Sequence, residues 1–159
     1  MVRRVLPVML LLATVWAGCM GAQTPSARAS DAARELNTST RFGDLSGASS
    51  MTAPTVRDQF LSRRAQWGKL VRVVDVEMAG FEMKDMDHAT VMVDFSWTRV
   101  DQGTLQSTRV LQEWSSTDGG WRLVREKRAS GDVGLFGEPV AAVENASRPD
   151  VQFATRVIQ

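Results

Sequence analysis

The chain has 159 residues, 43% of them hydrophobic and 23% charged. That suits one globular domain and excludes global disorder, a collagen-like repeat and an all-membrane protein. Nineteen Lys and Arg stand against 18 Asp and Glu, a net charge of +1, so no nucleic-acid partner is expected. One Cys, one His and no Tyr exclude an internal disulfide and leave little for His-based catalysis or a multi-His metal site. No cofactor and no metal are expected.

The N-terminus reads MVRRVLPVMLLLATVWAGC. Arg3 and Arg4 form a positive start, and Val5 to Trp16 is an uncharged run. Its length suits the hydrophobic region of a signal peptide and falls short of a comfortable membrane span. Pro7 argues against an ordinary core helix. Ala17 and Gly18 precede the sole thiol, Cys19. Small side chains there let an extended backbone enter a protease cleft. On Ala17, Gly18 and Cys19 the chain resembles a bacterial lipoprotein precursor with a type II signal peptide, although Trp16 stands where that family usually has Leu.

The resemblance implies that residues 1–18 are removed. Cys19 then carries a diacylglyceryl thioether and an acylated amine, and anchors the protein in a membrane. Each buried methylene contributes about 0.8 kcal/mol, and two or more chains anchor stably where one does not. Met20, rather than Asp, follows Cys19, which favours the outer membrane, with the domain facing the periplasm or exterior. From Cys19 onward the charge balance is −1.

Residues 19–29 read as the lipidated Cys and a flexible tether, small, polar and Pro-containing. Residues 30–137 read as one α+β domain. A helix is expected from Ser30, with Ala32, Ala33, Leu36 and Thr40 on one face and Gly43 as its stop. Leu45 to Ala53, rich in Ser and Gly, reads as a loop or short turn. Thr55 and Asp58 then suggest a capping box, followed by Val56, Phe60, Arg63 or Arg64, and Trp67 at helical spacing, with Gly68 ending the helix.

From Lys69 the period changes to two. Leu70 to Met78 is a strand candidate, apolar on both sides, so the face that the helices cover stays open. Ala89, Val91, Val93, Phe95 and Trp97 alternate with polar residues, the best strand signal in the chain. Thr108, Val110, Gln112 and Trp114 share one face of a third strand. Thr117-Asp118-Gly119-Gly120 predicts a hairpin leading to a fourth strand, with Trp121 and Leu123 facing one way. Short turns require an antiparallel meander, which the two helices cover on one face. Residues 138–159 read as a C-terminal tail, with Val151 to Ile158 as a candidate extra strand.

Helix, helix, then curved antiparallel sheet resembles the NTF2-like (SnoaL-like) superfamily over residues 30–130. A cystatin-like arrangement is the close competitor, and a lipocalin would need more strands. The NTF2-like resemblance implies N-terminal helices on a β-meander of four to five strands. It also implies a cone between helices and sheet that serves as pocket, enzyme site or partner surface. The isomerases of that superfamily use an oxyanion-binding Tyr, which this chain lacks.

Few residues offer chemistry. Lys84 to His88 concentrates Asp85, Asp87 and His88, which suit a divalent ion or, more simply, a solvated turn. Asp94 is a candidate general base if its strand face lines a pocket, and an outward carboxylate otherwise. The alternation favours the latter. Trp67, Trp97 and Trp114 are candidate walls of a ligand pocket, or core. Large aromatics favour core. Glu113, and Glu126 among Arg125, Lys127 and Arg128, read as exposed cross-strand ion pairs. Arg63, Arg64, Lys69 and Arg72 read as solvated surface. Gly131, Gly134 and Gly137 do not spell a phosphate loop.

The expectation is a lipid-anchored envelope protein whose domain binds a protein partner or a small apolar ligand without catalysis. The alternative is a small NTF2-like enzyme with Asp94 or His88 as base. A third is a structural subunit whose tail, from Val140, docks on a neighbour.

Overall fold

A computed structural model describes residues 23–140. Cys19, the expected signal segment before it and the candidate strand Val151 to Ile158 lie outside the described residues. The elements in order are α1 (Pro25–Arg41), α2 (Leu45–Ser50), a 3-10 turn (Pro54–Val56), α3 (Arg57–Arg63), β1 (Val71–Met83), β2 (His88–Arg99), β3 (Leu105–Thr117) and β4 (Gly120–Gly131). The strands form one curved antiparallel sheet in the order β1-β2-β3-β4, and the helices cover one face. This is the α+β arrangement expected from the sequence.

Helix α1 begins five residues before the expected Ser30. Thr24 is its cap, with Oγ1 accepting from the Ala27 N–H at 3.1 Å, and Pro25 occupies the first turn. Both suit a helix start. Residues 25–29 are therefore helix rather than tether, and Ala29 is buried. Its buried stripe is Ala29, Ala33, Leu36, Asn37 and Thr40. Part of the expected loop after Gly43 is the short helix α2, capped by Asp44. Thr55 and Asp58 form no capping box: neither the 3-10 turn nor α3 has a side-chain cap.

Strand β2 follows its pattern: Ala89, Val91, Val93, Phe95 and Trp97 are all buried against the helices. Strand β1 explains its own ambiguity. Register shifts leave Val74 and Ala79 as extra residues, and each such bulge flips the parity of the strand. Val73, Val76, Met78, Phe81 and Met83 consequently all face the core, opposite Trp97, Phe95, Val93, Val91 and Ala89. Two further shifts bulge β4 between its partners of Arg109 and Val110, and of Glu113 and Trp114. Four bulges bend the sheet around α1.

After β4 the chain turns back over the core. At Gly131 (φ +87°) a Cβ would lie 2.3 Å from the Ser107 carbonyl oxygen, so only glycine fits this approach. Leu135 and Phe136 are buried, and the Leu135 carbonyl accepts from Trp67 Nε1 at 2.7 Å. The glycine run thus serves close packing. On the far edge, Ala53 N–H donates to Leu123 O at 2.8 Å and Leu123 N–H to Met51 O at 3.0 Å, which covers β4. Strand β1 is the other edge of the sheet.

Candidate functional site

The described residues hold an open cleft of about 340 Å³ between α1 and the edge strand β1. One wall is a helical stripe of Arg34, Asn37, Thr38 and Arg41, spaced i, i+3, i+4, i+7 and therefore on one side of α1. The other wall is Val76, Glu77 and Met78, and Phe42 stands at the end, 77% exposed. Val76 and Met78 face inward because of the Val74 bulge. Glu77 belongs by register to the outer row, opposite Asp94. The cleft therefore sets hydrogen-bond donors on the helix against apolar side chains on the strand.

The donors differ in how occupied they are. Asn37 is buried and forms a reciprocal amide pair with Gln112 of β3, at 3.0 and 2.9 Å, and also donates to Ala33 O at 2.8 Å. That pair fixes α1 on the sheet at the back of the cleft. Arg41 Nη1 lies 3.1 Å from Asp75 Oδ1, with the two side chains 42% and 56% exposed, so the pair is weak and exchangeable. Arg34 is exposed and has no ionic partner among the described residues.

The sequence-derived candidates lie elsewhere. Trp97 and Trp114 are buried in the core. Trp97 Nε1 donates to Thr108 Oγ1 at 2.9 Å, and that hydroxyl donates to Asp132 O at 2.8 Å. Trp67 is half-buried, meeting Phe95 edge-on at 5.8 Å and stacking on Phe136 at 6.5 Å. Trp97 and Trp114 thus belong to the core, and Trp67 packs against it.

Asp94 stands on the opposite face of β2. Both its oxygens accept from Arg109, Oδ1 from Nε at 2.7 Å and Oδ2 from Nη2 at 2.6 Å. The Arg109 hydrogen bonds hold its carboxyl below the ordinary range, the reverse of what a general base near neutrality needs. His88 opens β2 beside the turn. Its Nδ1 lies 2.9 Å from both Asp85 oxygens, with both side chains more than half exposed. The Asp87 backbone N–H, then His88, hold the Asp85 carboxyl low. Lys84 to Asp87 is thus a solvated turn. Among the described residues no three His, Cys, Asp or Glu side chains converge on a metal-sized site.

Two charged residues expected at the surface are buried. Arg64 directs Nη1 and Nη2 at the two oxygens of Glu126, the latter at 2.7 Å, with side chains 0% and 5% exposed. Its guanidinium lies 3.6 Å from the Phe60 ring centre and 4.9 Å from that of Trp67, a cation–π cage. The bulge before Arg125 turns Glu126 inward beside Gln112. Glu113 does form the expected exposed pair with Arg125.

The α1 stripe has a signal in the sequence, four donor side chains at one helical spacing, but the wall it faces depends on a strand parity that bulges conceal.

No protein-family model matches the sequence, and no curated protein matches it significantly. Solved structures do resemble its fold. A ketosteroid isomerase-like protein from Erwinia carotovora atroseptica shares 16% identity, with a TM-score of 0.55 over 66% of this chain and 96% of that one. A SEC-C motif containing protein from Rhodopseudomonas palustris is 16% identical, with a TM-score of 0.54 over 68% of this chain and 83% of that one. An NTF2-like protein from Cytophaga hutchinsonii aligns at 13% identity and a TM-score of 0.48, over 62% of this chain and 91% of that one. The first two share with this chain an α+β fold. At such identities the likeness concerns the fold alone.

Proposed function

We propose that this chain is a lipid-anchored protein of a bacterial cell envelope whose NTF2-like domain binds a small ligand, without catalysis, in the cleft between α1 and β1. The observation that carries the binding half is the cleft itself: preset donors on α1 face Val76 and Met78 across about 340 Å³, within the usual range of ligand sites. The two bases that the sequence offered stand outside it, Asp94 locked to Arg109 and His88 in a solvated turn. These positions support binding over chemistry. The anchoring half is supported by Ala17, Gly18 and Cys19 after an uncharged run.

Intact-mass analysis of the membrane-extracted protein, beside Cys19→Ala, tests the anchor. The expected mass is that of residues 19–159 plus acyl groups, and the Ala version should lack them. An unlipidated mass or cleavage elsewhere would make the protein secreted or periplasmic and leave Cys19 incidental. Turnover of a substrate that is lost with Asp94→Ala or His88→Ala would overturn the non-catalytic half.

A further inference from the structure

Resting on the cleft reading above, we propose that the ligand is an amphipathic anion: a carboxylate held by Arg34 and Arg41, on an alkyl chain laid along Val76 and Met78 toward Phe42. Three features carry the assignment. Every polar side chain that the α1 stripe presents is a donor: two guanidiniums, an amide whose hydrogens are already committed, and a hydroxyl. Guanidinium forks match carboxylates in a bidentate way. Arg34 has no ionic partner among the described residues, and the ionic contact of Arg41, to Asp75, is exposed, so an incoming anion can replace it.

The opposing wall is apolar and half-buried. Val76 and Met78 pack against the core yet line the cleft, so a bound alkyl chain would complete their burial. Phe42 is a large ring left 77% exposed at the end of α1, with the Arg41 guanidinium 5.6 Å from its centre. The one carboxylate of the lining, Glu77, has no ion pair among the described residues. Its register places it on the outer row with Asp94 and Arg109, so it rims the cleft rather than facing the helix stripe.

The test is calorimetric titration of the full chain carrying Cys19→Ser, free of detergent. The probes are octanoate and octanol, both below micelle formation. Octanoate should bind saturably and more tightly than octanol, and added salt should weaken it. Arg34→Gln with Arg41→Gln should cut octanoate affinity about tenfold or more, the equivalent of at least one charge-assisted hydrogen bond, and leave octanol unchanged. Thr38→Trp places a bulky ring in the cleft from an exposed helix position and should abolish both, with a cooperative melt confirming the fold. Equal binding of the two probes, blocked by Thr38→Trp but indifferent to the Arg changes, would overturn the anion and leave the cleft standing. Binding unaffected by Thr38→Trp, or no binding at all, would overturn both.

Discussion

The helix–sheet interface has two unlike halves. Over β2, β3 and β4 it is closed: Trp97, Trp114, Leu123 and Leu135 are essentially inaccessible, and Arg64 and Glu126 seal one side under Phe60 and Trp67. Over β1 it is open, with Val76 and Met78 half-buried and the cleft beside them. The same helix serves both halves. Ala29, Ala33 and Leu36 close one side, while Arg34, Thr38 and Arg41 leave the other lined with donors. The difference teaches that indoles fill the centre of this interface while the open space lies along the edge strand.

Removing one partner of the buried charge pair should have the largest effect. Glu126→Gln leaves the Arg64 cation uncompensated among aromatic rings and should cost about 3–5 kcal/mol, measured by chemical denaturation. Arg64→Met with Glu126→Leu should recover most of that loss, since an apolar pair of similar volume avoids charge desolvation. A double variant as unstable as Glu126→Gln would show that the closed half needs the charges themselves.

The join between the halves should come next. Asn37→Ala strands the Gln112 amide in the core and should cost about 1–3 kcal/mol. It should also speed amide exchange in α1 more than in β3. Equal exchange in both would contradict the view that this pair fixes α1 on the sheet.

The smallest effect is expected outside the interface. Asp94→Asn removes an exposed pair and should cost about 0–1 kcal/mol at neutral pH. Because Arg109 lowers the Asp94 carboxyl in the folded state, that stability is present above the ordinary carboxylate value and fades as pH falls through the depressed one. Wild type and Asp94→Asn should therefore converge in acid. A gap that widens in acid would reverse the assignment.

The closed half was largely legible in the sequence. Ala89 to Trp97 and Thr108 to Trp114 keep strict alternation, since their shared ladder has no register shift, and period two then reports burial directly. The open half was not. Bulges at Val74 and Ala79 change parity within β1, so a strict period of two assigns its apolar residues to both faces. A bulge in β4 likewise hides Glu126. Arg64 finds its partner 62 residues away, beyond any local pattern. The start of α1 was written in Thr24 and Pro25, but small polar composition masked it.

The most direct test is a crystal structure of the full chain, carrying Cys19→Ser, grown with octanoate. Density between α1 and β1, with the carboxylate against Arg34 and Arg41 and the chain along Val76 and Met78, is the predicted result. Octanoate seated instead among Trp97, Trp114 and Phe136, with those rings displaced, would contradict it.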